Sequence, residues 1–181
     1  MDHTVPAVVG VTGHRDLLPD DVPRLEEVVA GLLAELSPPP MVLSALAEGA
    51  DRLVARVALR CGAALVVPLP FPPDDYEADF ADQASKREFR ELLAAAAESF
   101  VVPGACAGER REAGYLRVGR ELVARSRLLL ALWDGEHLAA AGGTSDVVRM
   151  CRGRTPVLHL ATRHLRKPQI PGAFTVNRLE P

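Results

Sequence analysis

The chain has 181 residues, 48% of them hydrophobic, and a formal net charge of -3. This is enough apolar material for one substantial core, so we expect a single domain over residues 1–181. The small negative charge provides no overall field that would attract nucleic acid or an anionic membrane, which makes both poor candidates as partners. With no basic leader and no apolar run of roughly 20 residues, we expect a cytoplasmic protein that does not contact the membrane.

The first half of the chain alternates short apolar runs with segments of helical periodicity. The run AVVGVT is apolar on both faces, which is typical of a buried parallel strand. The next helix is ended by three prolines, because proline cannot continue helical hydrogen bonding. The predicted elements here are strands at 7–12, 41–46 and 63–69, and helices at 22–36 and 48–61.

In the second half, PLPFPPDDYEADF is rich in prolines and acids and predicts a loop. Its length suggests a lid, with Tyr76 stacking on a ligand base. A glycine inside the helix at 111–126, Gly119, indicates close helix packing or close approach of a ligand. The predicted elements are helices at 83–98, 111–126 and 144–152, and strands at 99–103, 127–133 and 155–161. The tail from about residue 162 is expected to be irregular.

This alternation predicts a doubly wound α/β domain of the Rossmann-like type, with a mainly parallel sheet of about six strands and helices on both faces. In such a sheet, ligands bind outside the carboxyl ends of the strands, where the strand order reverses. The residues that follow each strand are therefore the candidates for function.

Glycine-bearing turns follow the first two strands. In TGHRD, the glycine permits a tight turn and the basic pair can reach a ligand, although a solvent-exposed turn would have the same sequence. In AEGADR, Asp51 can cap the helix that follows, whereas Glu48 is expected at the same rim as Gly13. The candidate binding residues of these turns are Gly13, His14, Arg15, Glu48, Gly49 and Asp51.

The fifth strand ends in Trp-Asp-Gly and is followed, after a small-residue loop, by GGTSD at the start of a helix. Two glycines let a ligand approach bare backbone, and the first N–H groups of a helix favour an anion. This stretch predicts a phosphate-binding turn, although a flexible loop with an ordinary cap remains an alternative. The candidate residues are Trp133, Asp134, Gly135, Gly142, Gly143, Thr144, Ser145 and Asp146.

Several familiar signatures are absent from the sequence. There is no GxxxxGK[ST] P-loop, no GxGxxG after the first strand and no GxSxG elbow. Three widely spaced cysteines form no metal-binding pattern, so we expect free thiols and neither a metal nor another cofactor. Of the scattered histidines, His159 is expected in the core or at an edge and His164 at the surface.

The runs GVTGHRDL, SALAEGADRLVA, LPFPPDDYEADF and GGTSDVV resemble the SLOG superfamily over about residues 7–160. This group joins the DNA-processing protein Smf/DprA, the LOG phosphoribohydrolases and nucleotide-sensing domains. The resemblance implies a Rossmann-like fold and a nucleotide-derived ligand with its phosphate at Gly142–Ser145. It also implies that a homodimer is plausible.

The LOG enzymes carry PGGxGTxxE, whose glutamate serves hydrolysis of an N-glycosidic bond. Here the proline is missing, Val147 stands at the position of the glutamate, and Asp146 comes one residue early. A module that binds a nucleotide-like small molecule, with no catalysis, is therefore favoured. The alternative is a LOG-like hydrolase, for which the candidate catalytic carboxylates are Glu48, Asp134 and Asp146. A third hypothesis is a DprA-like nucleic-acid module. It is disfavoured because single-strand binding needs aromatic side chains for base stacking and a basic groove, and this sequence has only eight aromatic residues and no basic stripe.

Overall fold

Seven strands form one sheet in the computed structural model, which describes residues 6–104, 109–136, 142–170 and 172–179. The strands are β1 (Val8–Gly13), β2 (Met41–Leu43), β3 (Ala64–Leu69), β4 (Glu98–Val101), β5 (Leu128–Trp133), β6 (Val157–Ala161) and β7 (Val176–Leu179). Their order is β4-β3-β2-β1-β5-β6-β7, and all neighbours are parallel except β6 and β7. The strand order reverses between β1 and β5, which places a ligand-binding crevice at their carboxyl ends.

Helices cover both faces of the sheet. They are α1 (Val22–Ala34), α2 (Ala50–Arg60), α3 (Pro73–Tyr76), α4 (Gln83–Ala95), α5 (Arg111–Arg125) and α6 (Thr144–Cys151), with short 3₁₀ helices at Pro19–Asp21 and Glu77–Asp79. Because side chains alternate along a strand, Leu130 and Leu132 of β5 face the core formed with α1, α2 and α4. Leu129 and Ala131 face the opposite side, where α6 packs.

The predicted fold class, a doubly wound Rossmann-like α/β domain, is confirmed. Two local expectations differ from the structure. Residues 73–79 form α3 and a 3₁₀ helix instead of an open loop, and Val176–Leu179 of the supposedly irregular tail forms β7, so the sheet has seven strands. These pieces are three or four residues long, too short to produce a periodic pattern, and β7 is a largely exposed edge strand whose polar sequence VNRL lacks the apolar run of a buried strand.

Within the described ranges, no helix has both the length and the apolar character needed to span a lipid bilayer.

Candidate functional site

A cavity of about 270 Å³ opens at the carboxyl edge of the sheet, on the side covered by α5 and α6. Strand ends supply its floor and helices its walls. From the turns come Thr12, Gly13, Arg15, Ala45, Ala47, Asp51 and Pro70, and from the segment that begins α6 come Gly142, Gly143 and Thr144. The helical walls are Tyr76 of α3, Tyr115, Val118, Gly119 and Leu122 of α5, and Val147 of α6.

The turns after β1 and β2 fit tightly into each other. A Cβ on Gly13 would lie 2.4 Å from the carbonyl oxygen of Leu132 and 2.5 Å from Cβ of Ala50, so this glycine permits close packing of β1. Gly49 has φ +76°, and a Cβ there would lie 2.4 Å from the carbonyl oxygen of His14. The N–H of Ala50 donates to that same carbonyl at 2.9 Å. The two predicted turns therefore meet, and the glycines are required by close backbone approach.

Arg15 and Glu48 form an ion pair at the mouth of the cavity. Arg15 Nη2 lies 2.7 Å from Glu48 Oε2 and also donates to the carbonyl oxygen of Asp79 at 3.0 Å. Burial alone would raise the pKa of Glu48, but hydrogen bonds from the Ala81 N–H and the Ser85 hydroxyl, together with Arg15, lower it. Arg15 lines the cavity and Glu48 does not, so the carboxylate positions the guanidinium.

Asp51 is the only carboxylic acid among the described residues that line the cavity. The N-cap residue of α2 is Gly49, and the Asp51 carboxyl group accepts hydrogen bonds from the backbone of Ala47 and Ala45 in the preceding loop. Burial raises the pKa of Asp51 to about 7, against the opposing effects of the Ala47 and Ala45 N–H groups and of Arg15. A carboxyl group that changes protonation near neutral pH beside a cavity is suited to proton transfer or to ligand recognition.

The glycine pair ahead of α6 is shaped by contact with α5. Gly142 has φ +80°, and a Cβ there would lie 2.7 Å from Cβ of Tyr115. Gly143 is the N-cap residue of α6, and Thr144 faces Thr12 across the cavity, with their hydroxyl oxygens 3.4 Å apart. The start of α6 therefore presents backbone and a hydroxyl to the cavity.

Asp146 and Ser145 are buried and do not line the cavity. The Asp146 carboxylate accepts the N–H of Gly142 at 2.9 Å and pairs with Arg149. These bonds hold the turn at the start of α6, so Asp146 has a structural contact here although it was predicted to bind a ligand.

The residues at the end of β5 lie away from this cavity. Trp133 packs in the core beside α6, and Trp133 and Gly135 line a second cavity of about 500 Å³ near His159. Asp134 instead lies beside His14 and His164, whose rings are 4.2 Å apart between centroids. His164 is only 5% exposed, contrary to its expected place at the surface, because the segment after β6 folds back over the ends of β1 and β5.

In the group formed by His14, Asp134 and His164, burial and the neighbouring charges favour a neutral His14 imidazole next to an ionised Asp134 carboxylate. Burial and the neighbouring His164 lower the pKa of His14, against the opposing effect of Asp134. For Asp134, burial acts to raise the pKa, but the N–H of Glu136 and the two histidines lower it. The Asp134 N–H donates to His14 Nε2 at 2.9 Å.

Tyr76, the predicted lid residue, is 4% exposed and belongs to a packed aromatic group. Its ring meets Phe80 and Phe89 edge-on, with centroids 4.9 and 5.7 Å apart. Because one side of the ring lines the cavity, Tyr76 can contact a ligand as part of the wall.

Two polar residues of the cavity, Thr12 and Tyr115, were not among the predicted binding residues. Tyr115 lines the cavity and donates its hydroxyl to Asp79, which also pairs with Arg111. Thr12 points inward from the end of β1. On α5, the mid-helix glycine Gly119 was the predicted point of close packing or ligand approach. It lines the cavity, and a Cβ added there would lie 3.1 Å from Val147 Cγ2.

No protein-family profile and no curated protein sequence matches the chain. Solved structures do match. The DNA processing protein A (DprA) of Streptococcus pneumoniae aligns with a TM-score of 0.62 at 19% identity over 88% of this chain, which spans about half (52%) of that protein. A Helicobacter pylori DprA structure, described for its single-stranded DNA binding mode, aligns with 0.58 at 17% identity, covering 90% of this chain and 68% of that one.

The Moco Carrier Protein of Chlamydomonas reinhardtii aligns with a TM-score of 0.52 at 15% identity, covering 88% of this chain and 78% of that one. At such identities the likeness shows the fold. The chain has the Rossmann-like fold shared by DprA and the Moco carrier protein, as the resemblance to the SLOG group implied.

Proposed function

We propose that this chain binds a nucleotide or a nucleotide-derived small molecule in the cavity at the carboxyl edge of the sheet. The observation that carries the proposal is that two chemically different sets of groups line the cavity. The glycines and Thr144 that begin α6 are referred to as the phosphate end, and the apolar side chains of α5 as the base end. A phosphate and a nucleobase need these two environments.

The phosphate end combines three features. Gly143 and Thr144 present the positive end of α6 to the cavity without a bulky side chain in the way. Thr12 and Thr144 supply hydroxyl groups. Arg15 supplies a positive charge at the mouth, where its side chain is 45% exposed and able to turn toward an anion.

The base end consists of apolar side chains that include Val118, Leu122 and Ala45, which belong to one hydrophobic cluster. The cavity volume of about 270 Å³ lies near the lower end of ligand pockets, roughly 300–1,000 Å³. This size favours a ligand as small as a mononucleotide over a dinucleotide or a length of single-stranded DNA.

The structural neighbours support binding without deciding the ligand. One is described as a cofactor carrier and another by its binding of single-stranded DNA. Helices form the walls of the cavity described here, as suits a small molecule. Single-stranded DNA is accordingly a competing ligand for the test.

A second candidate function, hydrolysis of the N-glycosidic bond of a nucleoside monophosphate, is favoured by Asp51. A carboxyl group with a pKa of about 7 can donate a proton to a departing base at neutral pH. Glu48, Asp134 and Asp146 are outside the cavity lining, so in this structure Asp51 is better placed for that role.

The test is a thermal-shift and calorimetry screen with nucleoside mono-, di- and triphosphates, NAD, ADP-ribose, cyclic nucleotides and a single-stranded oligonucleotide. Binding to the native state alone raises Tm. Mass spectrometry of each hit separates binding from hydrolysis, and released base that disappears in Asp51→Asn identifies the enzyme. Analytical ultracentrifugation of the same sample tests the predicted homodimer.

Thr144→Asp is the variant aimed at the phosphate. An acidic side chain in the first turn of α6 interacts favourably with the helix dipole, so we expect the variant to fold. The same negative charge repels a bound phosphate. We expect at least tenfold weaker binding of any phosphate-containing hit, with Thr144→Ser close to the parent chain. Absence of any hit, or equal affinity in Thr144→Asp, rejects the phosphate turn.

A further inference from the structure

His14, Asp134 and His164 form a compact group beside the cavity. They come from the end of β1, the end of β5 and the segment after β6. One ligand atom of each lies within 4.8 Å of the ligand atoms of the other two. None of the three side chains lines the cavity, so the group can bind an ion whether or not the cavity binds a nucleotide.

The separations within the group suit a metal ion. His14 Nε2 lies 3.3 Å from Asp134 Oδ1, and His164 Nε2 lies 3.4 Å from Asp134 Oδ2. Nitrogen and oxygen ligands bind Zn²⁺ at about 2.0–2.2 Å, so two ligand atoms at a tetrahedral angle are about 3.3–3.6 Å apart. These two separations match the spacing of metal ligands, and the two imidazole nitrogens lie within 4.8 Å of each other.

Because the three side chains are largely buried, a positive charge nearby would stabilise the Asp134 carboxylate. The side chains of Asp134 and His164 are 4% and 6% exposed, and that of His14 is 14% exposed. The cation nearest to the carboxylate is Lys167, whose Nζ lies 3.8 Å from Asp134 Oδ2 and also pairs with Glu136. Because Lys167 is 41% exposed, it can swing into solvent and leave room for a metal ion.

Neighbouring groups orient the ligands. The carboxylate of Asp16 lies 3.6 Å from His164 Nδ1, so a small side-chain movement lets it accept a proton from that nitrogen and leaves Nε2 free for a metal. Metal binding exchanges the hydrogen bond between the Asp134 N–H and His14 Nε2 for a metal bond. It also displaces the N–H of Arg166, which donates to His164 Nδ1 at 3.3 Å.

We propose that His14, Asp134 and His164 bind one divalent transition-metal ion. Two imidazoles and one carboxylate are a donor set for Zn²⁺, Fe²⁺ and related ions, and unsuited to Mg²⁺ or Ca²⁺. The ion joins the ends of β1 and β5 to the segment after β6, and three protein ligands leave at least one coordination position for a further ligand. It therefore fixes the backbone of the turn that carries Gly13 and Arg15 into the neighbouring cavity.

The test uses the chelator-treated 181-residue chain with Cys61→Ser and Cys106→Ser, which removes two thiols that would compete for zinc. Calorimetric titration with Zn²⁺ is expected to give one ion per chain with micromolar or tighter Kd. Co²⁺ absorption then reports coordination by nitrogen and oxygen. Asp134→Asn and His164→Gln are each expected to weaken Zn²⁺ binding at least 100-fold, while His159→Gln, a histidine outside the group, leaves it unchanged.

Lys167→Met keeps the test decisive if Asp134→Asn or His164→Gln fails to fold. It changes a half-exposed side chain and removes the competing cation, so Zn²⁺ affinity is expected to rise at least threefold. No stoichiometric binding by the parent protein overturns the proposal. So does full affinity in a folded His164→Gln variant, or unchanged affinity in Lys167→Met.

Discussion

Individual residues show where sequence reasoning reaches its limit. Asp51 follows a glycine at a helix start, a pattern that predicts a cap, yet its side chain lies against the cavity and accepts N–H groups from the preceding loop. Its raised pKa results from burial by segments distant in sequence, including Tyr76. No local pattern carries that information.

The titration of Asp51 predicts a pH dependence of stability. With a pKa near 3.8 in the unfolded chain and about 7 in the folded one, the folded state binds more protons between these values. The free energy of unfolding should therefore fall as pH rises from about 4 to about 7 and level off above. Linkage puts this contribution on the order of 4 kcal/mol.

Denaturant unfolding of the parent chain and Asp51→Asn across this pH range measures the effect. Asparagine resembles the protonated acid, so the variant should lose less stability than the parent. Asp20→Asn, at an exposed position, serves as the control. Parallel pH profiles for the parent and Asp51→Asn would show that Asp51 titrates normally.

At the scale of elements, the turn between β5 and α6 depends on one glycine more than on its neighbours. Gly142→Ala places a Cβ at φ +80° and 2.7 Å from Cβ of Tyr115, a contact that α5 relieves only by moving away. The left-handed conformation costs roughly 1 kcal/mol for alanine, and overpacking adds about 1–3 kcal/mol. We expect a loss of about 2–4 kcal/mol in the free energy of unfolding.

Gly153→Ala is a matched control for that prediction. Its φ is +72°, but a Cβ there has nothing within 4 Å, so only the conformational cost applies. Urea denaturation of both variants separates the two contributions. An equal loss in the two would mean that α5 and α6 adapt freely and that the turn is not held by Tyr115.

The length and the burial of each element explain which elements could be predicted from the sequence. Long buried elements such as β5 and α1 have apolar patterns that identify them, and the proline run correctly placed the end of α1 within a few residues. α3 and β7 have no such pattern, because a four-residue helix and an exposed edge strand bury little surface. Their structure depends on the elements that they pack against.

For the whole molecule, topology predicted that the turns after β1, β2 and β5 would meet at one rim, and parallel pairing brings the ends of these strands together. It did not predict on which side of the sheet each side chain lies. The path of each turn beyond its strand end decides this, and that path depends on tertiary contacts. Thr12, Gly13 and Arg15 line the cavity, whereas His14 meets Asp134 outside it.

This arrangement predicts that the edge strand β7 stabilises the molecule without shaping the cavity. β7 pairs only with β6, and β5 separates β6 from β1. A chain that ends at Ile170 loses this pairing and the contact of Phe174 with the core, for an expected loss of about 1–3 kcal/mol. It retains Arg163, whose guanidinium pairs with buried Asp21.

Hydrogen exchange monitored by mass spectrometry measures both parts of this prediction without a ligand. Peptides from β6 should exchange faster in the shortened chain, because one side of that strand becomes an open edge. Peptides covering 10–15 and 142–151 should keep their protection relative to the global stability. A selective loss of protection in these two segments would mean that the cavity depends on β7 and that the far edge of the sheet is coupled to the site.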